Sequence, residues 1–240
     1  MTSKYVHSEE AHNLRAPEII VPHLIQLFHP ENVIDVGCGL GTFLYVFKQY
    51  GVKDVLGLDG PWVNKKLRRK YLAENEFMEC NLEEPINLHR KFDLVISLEV
   101  AEHLSSSSAD VFVNNLVSAG NIILFSAAIP FQGGQNHKNE QRLSYWSEKF
   151  SRHRYVVHDI IRPVFWNNPN VFWWYKQNMV IVTPKEFILD PQWVYNPLLD
   201  VVHYDLFSEK AHRLEALYRG ELPPLQYIKF FLKSLWRKRR

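Results

Sequence analysis

The stretch Val33–Leu44, Val-Ile-Asp-Val-Gly-Cys-Gly-Leu-Gly-Thr-Phe-Leu, constrains this chain more than any other. It reads as a buried strand, Val33 to Val36, that runs into a three-glycine turn and opens an apolar helix. Gly37, Gly39 and Gly41 remove side chains where the backbone must turn tightly, and they let a ligand come close. A helix starting there aims unpaired backbone N–H groups at whatever occupies the crevice. The spacing is G-x-G-x-G, with an acid, Asp35, two positions before the first glycine. A dinucleotide fingerprint requires G-x-G-x-x-G, so the spacing argues against an NAD-dependent oxidoreductase.

Further strand–helix units follow. After a helix over Thr42–Tyr50, Asp54–Asp59 reads as a second strand ending in a carboxylate. Asp59 falls where an open α/β sheet binds ligands, and a carboxylate there can accept both hydroxyl hydrogens of a ribose. Pro61–Arg69 reads as a basic helix and Glu76–Leu82 as a short strand with a polar turn. Phe92–Leu98 is a fourth strand, leading into Glu99-Val-Ala-Glu-His-Leu104. Ser105–Ser108 is expected to cap a helix over Ala109–Ser118. Asn121–Ser126 is a fifth strand, and Arg154–Ile161 and Val180–Thr183 complete the sheet. Asn13–Phe28 is helical in pattern, with Pro17 fitting a first turn better than Pro22 fits an interior. This helix is expected to cover the crevice or to pack beside the first strand.

These residues together resemble class I S-adenosylmethionine-dependent methyltransferases, whose first motif is the acid followed by the glycine turn. The resemblance implies a Rossmann-like α/β fold with a seven-stranded sheet and helices on both faces. It implies S-adenosyl-L-methionine as cofactor, with Asp35, Gly37, Gly39 and Gly41 at its amino-acid end. Asp59 is then assigned to the ribose, Asn81 and Leu82 to the adenine, and Glu99 to the cofactor's neighbourhood. Family members usually carry Asp-Leu at Asn81-Leu82; the amide of Asn81 can still accept from an adenine amino group. Trp62 can flank the adenine or pack.

Methyl transfer also needs an oriented nucleophile and a route for its proton. Glu99, Glu102 and His103 stand at i, i+3 and i+4, so the three groups can converge on one side. Two carboxylates and an imidazole form part of a site for a divalent ion such as Mg²⁺, Mn²⁺ or Zn²⁺. His137, in the glycine-rich stretch Ile129–Gln141, is a further ligand or, without metal, a general base. The pattern Glu99-x-x-Glu102-His103 with a later His137 resembles the metal set of small-RNA 2′-O-methyltransferases, and a related segment occurs in ubiquinone-biosynthesis O-methyltransferases. The resemblance implies that the ion activates a diol or catechol oxygen. The same Glu-Val-x-Glu-His pattern also occurs in metal-independent members.

His137–Trp146 and Arg162–Asn178 resemble segments of methyltransferases associated with bacterial glycan and lipopolysaccharide biosynthesis. Tyr145, Trp146, Trp166, Trp173 and Trp174 lie there among amides and charges, a composition that suits either a sugar site or a buried aromatic cluster. The expected function is methyl transfer to a hydroxyl of a glycan or related small-molecule precursor. The alternatives are an RNA 2′-O-methyltransferase and a non-catalytic binding module in a glycan-assembly complex. A net charge of +2 over 240 residues gives no nucleic-acid footprint. Two cysteines, Cys38 and Cys80, exclude a disulfide framework and fit a reducing cytosol. The expected location is cytoplasmic, at or near the inner membrane surface.

The expected organisation is an N-terminal helical cover over 1–30, a methyltransferase domain over 31–189 and an extension over 190–240 punctuated by Pro191, Pro197, Pro223 and Pro224. Within the extension, Leu225–Trp236 is apolar with Lys229, Lys233 and Arg237 every four residues, followed by further cations to Arg240. That pattern suits peripheral membrane contact through residues 225–240, or simple packing of a surface helix.

Overall fold

A computed structural model of the chain describes residues 6–8, 10, 12–187 and 199–237. Seven strands form one mixed sheet: β1 Asn32–Val36, β2 Asp54–Asp59, β3 Phe77–Glu79, β4 Leu94–Leu98, β5 Ile123–Ser126, β6 Tyr155–His158 and β7 Val180–Pro184. Their order is β3-β2-β1-β4-β5-β7-β6. The first five run parallel, and β7 is antiparallel to both β5 and β6. This is the seven-stranded α/β sheet, with helices on both faces, that the resemblance implies.

Strand alternation explains the two helical layers. Ile34, Val36 and Val95 face one core, with Phe112, Leu116, Trp146 and Phe150 of helices α4 (Ala109–Ala119) and α5 (Leu143–Ser151). Val33, Leu94 and Ile96 face the other, with α1 (Pro17–Phe28) and α2 (Thr42–Gln49). The helix α1 runs through Pro22 despite its missing N–H. Burial of Ile20, Val21 and Leu24 in that layer, at roughly 1.5–3 kcal/mol each, offsets the lost bond. Ser97 of β4 donates its hydroxyl to Val36 O at 2.9 Å, tying the two central strands together where the site begins.

Two local expectations are corrected. The basic helix after Asp59 shrinks to α3 (Lys65–Arg68), because Trp62 folds back over Gly60 and Asn64 starts the helix by accepting from Lys66 and Leu67 N–H. The serine run does not cap α4 with a side chain: it forms its own single turn, in which Ser108 Oγ donates to Ser105 O. Short helices α6 (Arg162–Phe165) and α7 (Trp173–Asn178) precede β7.

The chain divides into two compact units, residues 1–201 and 202–240, rather than at 190. Pro191 and Pro197 lie outside the described residues. The second unit holds two helices, α8 (Tyr204–Arg219) and α9 (Pro224–Arg237), joined by a turn at Gly220 with φ 74°. Pro224 supplies the first residue of α9, a position that needs no N–H.

Candidate active site

The strand order reverses between β1 and β4, so a crevice opens at their carboxyl ends. A cavity of about 770 Å³ lies there, a size suited to a small-molecule cofactor and its acceptor. The glycine turn forms one wall. Gly37, Gly39 and Gly41 all take left-handed backbone, at φ 89°, 54° and 82°. Gly37 and Cys38 N–H both donate to Leu58 O, at 2.8 and 3.0 Å, which bends the turn across the end of β2. A Cβ on Gly37 would stand 2.3 Å from Val100, and one on Gly41 2.4 Å from Leu72. Gly37 and Gly39 line the cavity; Gly41 instead heads α2 and packs on Leu72.

Asp35 and Asp59 lie buried on this wall. Asp59 accepts from Gly39 N–H at 2.8 Å and Gly60 N–H at 2.6 Å, and the Trp62 indole donates to it as well. Burial still outweighs these donors and pushes its carboxyl up to about 6. Burial and the nearby Asp59 push Asp35 up to about 8. Both groups are therefore short of positive charge. Asn81 and Leu82 border the cavity, but the Asn81 amide is engaged in its own turn, donating to Glu84 and accepting from Glu83 N–H.

The opposite wall follows β4. Glu99 takes left-handed backbone at φ 55°, strained for a side-chain-bearing residue, and its N–H donates to Ser126 Oγ. Its carboxylate accepts from Gln132 at 2.7 Å and from Asn178 at 3.1 Å. Those amides hold Glu99 in place, and it does not join the metal-ligand geometry expected of it. Glu102, His103 and His137 do converge: one ligand atom from each lies within 4.8 Å of the others. The Glu102 backbone carbonyl accepts from Lys138 N–H at 2.8 Å and Asn139 N–H at 3.0 Å, which docks the His137 loop against it.

Glu102 is fully buried, and neither carboxylate oxygen meets a hydrogen-bond partner in bonding geometry. Burial, with the neighbouring Glu99, raises its pKa well above the carboxylate range; the nearby Glu102 and Ala128 N–H groups oppose this only weakly. His103 is pushed down to about 4, chiefly by burial and by His137, so its ring is neutral near pH 7. His137 Nδ1 stands 2.8 Å from Glu140 Oε1. A carboxylate only accepts, so Nδ1 is the donor to Glu140 and Nε2 is the ring nitrogen left to act elsewhere. Glu140 is fixed in turn by Phe131 and Gly133 N–H.

Several site residues carry no pattern in the sequence. His7 and His12 come from the segment before α1 and lie over the glycine turn; a Cβ on Gly39 would meet them at 3.1 and 3.4 Å. Burial, then His12 and His103, push His7 down to about 3. Gln132, Asn178 and Glu140 act on other side chains, and only proximity in the fold identifies them. Of the aromatic residues, Trp173 and Trp174 line the cavity with Phe172 and Tyr175. Trp146 belongs to the core, with Tyr145 edge-on to it, and Trp166 does not border the cavity.

Comparisons with known proteins agree with this geometry. A family model described as a methyltransferase domain matches residues 11–157. The mitochondrial ubiquinone biosynthesis O-methyltransferase of Dictyostelium discoideum is 29% identical over 113 residues, covering 40% of this chain and 34% of that protein. The chain thus spans about a third of that relative's length. The methyltransferase domain of bacterial CtHen1 superposes with a TM-score of 0.50 at 18% identity, over 71% of this chain and 100% of that one. DesVI of Streptomyces venezuelae gives 0.54 at 12% identity, over 73% and 94%. Magnesium protoporphyrin IX methyltransferase of Synechocystis, solved with bound SAH, gives 0.51 at 15%, over 76% and 90%. At such identities the structural likenesses speak for the fold alone.

Proposed function

The chain belongs to the methyltransferase-domain family, and from that membership we propose that it methylates a hydroxyl group flanked by a second oxygen, as in a sugar, with the help of a divalent cation. It is an S-adenosylmethionine-dependent methyltransferase. The observation that carries the finer reading is Glu102. A fully buried carboxyl group whose oxygens meet no partner in bonding geometry, and which faces two imidazoles, is costly to ionise unless something positive meets it. A set of one carboxylate and two imidazoles suits Mn²⁺ or Zn²⁺ better than it suits a hard, all-oxygen-seeking ion. Glu102, His103 and His137 would hold the ion, and Glu140 orients His137 as an outer-shell partner. Bound there, the ion would lower the pKa of an acceptor hydroxyl.

The remaining steps belong to the chain's own residues. Asp35 and Asp59 supply the negative wall that suits a cofactor bearing a sulfonium and an ammonium. When bound there, S-adenosylmethionine would supply the methyl group: a C–O bond to the acceptor would form as the C–S bond breaks, the sulfur keeping that bond's electron pair and the hydroxyl proton leaving to solvent. Trp173 and Trp174 line the cavity with aromatic faces of the kind on which a sugar ring stacks.

The reading is tested by incubating the protein with methyl-labelled S-adenosylmethionine and matched acceptors: glycosides with and without a vicinal diol, a catechol, and single-stranded RNA. Labelling of diol glycosides that falls at least about tenfold on chelation, and returns with Mn²⁺, is the expected result. Turnover untouched by exhaustive chelation overturns the metal reading and leaves His137 Nε2 as the general base. Labelling confined to RNA or catechol overturns the glycan acceptor.

A further inference from the structure

We infer that the outer face of α9 docks the protein on an anionic lipid bilayer. Leu225, Ile228, Leu232 and Leu235 recur at spacings of three, four and three, within about 80° of arc at 100° per residue. Each is between 48 and 61% exposed. The helix meets α8 on another side. Tyr227, about 120° around from that stripe, accepts from Leu222 N–H at 3.2 Å, and its hydroxyl lies 3.3 Å from both Ala216 O and Leu217 O. Tyr227 therefore ties the start of α9 to the end of α8, and the leucine stripe on a different side of the helix is left exposed.

Charge selects the occupant. No acidic residue occurs from Leu222 to Arg240, whereas Lys229, Lys233, Arg237, Lys238, Arg239 and Arg240 are all basic. Lys229 and Lys233 stand one and two steps round from the stripe, so cations edge the apolar face as they do in helices lying in a membrane interface. A negative surface attracts such a segment within about a Debye length. A second copy of the same face would set cation against cation. No helix among the described residues is long and apolar enough to cross a membrane, so the contact is with the surface. The inference rests on the second unit alone and is independent of the acceptor proposed above.

Flotation of the full chain with phosphatidylglycerol-containing vesicles tests it. The protein should float with these vesicles and at least about tenfold less with pure phosphatidylcholine. Ionic strength near 1 M, where screening reaches about 3 Å, should weaken the association. The double substitution Ile228→Glu and Leu232→Glu should abolish flotation while helicity and S-adenosylhomocysteine binding persist. Replacing Arg237 to Arg240 by serine should weaken it at low salt. Equal flotation by the double variant, or none by the parent chain, overturns the inference. A concentration-dependent dimer that the same double variant dissolves, without vesicle binding, assigns the face to a second copy instead.

Discussion

A carboxylate without a partner costs stability, and Glu102 is retained at the centre of the candidate site nonetheless. Glu102→Gln keeps the shape and removes the group that must ionise beside Glu99. Its expected signature is divided: a melting temperature equal to or above that of the parent, with Mn²⁺ affinity and metal-dependent turnover down by about a hundredfold or more. Calorimetric titration with Mn²⁺ beside a thermal melt reads both, and unchanged metal affinity would remove Glu102 from the ligand set. Asp35 gives a second, pH-dependent signature. Its folded pKa, raised to about 8, means that its contribution to stability is present below the unfolded value of 3.8 and is lost as pH rises through about 8. Near neutrality the empty site therefore holds Asp35 mostly protonated, while a cationic cofactor favours the carboxylate. Between about pH 6, where Asp59 ionises, and about pH 8, cofactor binding should release a proton. S-adenosylhomocysteine affinity should climb with pH, by up to about tenfold per unit. Calorimetry across that window checks it: Asp35→Asn should flatten the slope, and a flat parent profile would detach Asp35 from the charged end of the cofactor.

Among elements, the ones read correctly from sequence are those whose pattern is local. The strand–glycine–helix unit declares itself through apolar alternation and three left-handed positions, and β2, β4 and β5 repeat the same apolar signal. Glu99 illustrates the opposite case. Its i, i+3 spacing from Glu102 suggested convergence, but a left-handed backbone at Glu99 turns it toward Gln132 and Asn178, partners 33 and 79 residues away in sequence. His7 and His12 were invisible for a related reason: a short segment without periodicity gains its place only when α1 docks and carries it over Gly39. The loop after β5 is the element on which the metal reading depends. A Cβ on Gly134 would stand 2.2 Å from His137 Nε2, so Gly134→Ala must swing that ring away. Because Gly134 is exposed, the melting temperature should stay within a few degrees, while Mn²⁺ affinity drops about 10–100-fold. Retained affinity would mean that His137 does not ligate.

For the whole molecule, the parallel strands were legible as apolar runs ending in polar tips, whereas the seven-stranded sheet was implied by the family resemblance. The antiparallel insertion of β7 between β5 and β6 was not legible, because a strand's direction depends on the length and path of the connection rather than on its own residues. The border of the compact first unit lies at Val201, twelve residues beyond the expected 189, because Leu199 still packs on its core and Asp200 accepts from Ser144. Beyond that border the physics changes. Among the described residues from Gly220 onward whose side chains are described, none is buried, although Leu225–Trp236 is strongly apolar in composition. A segment that buries little contributes little to the folding free energy, since burial of apolar area is the dominant favourable term. Ending the chain after Arg219 should therefore leave the melting temperature within a few degrees and S-adenosylhomocysteine affinity within about threefold, because every residue bordering the cavity precedes it. Differential scanning calorimetry and titration of the shortened chain measure both quantities. A large fall in either would mean that α9 supports the catalytic unit, and its apolar stripe would then need no membrane to account for it.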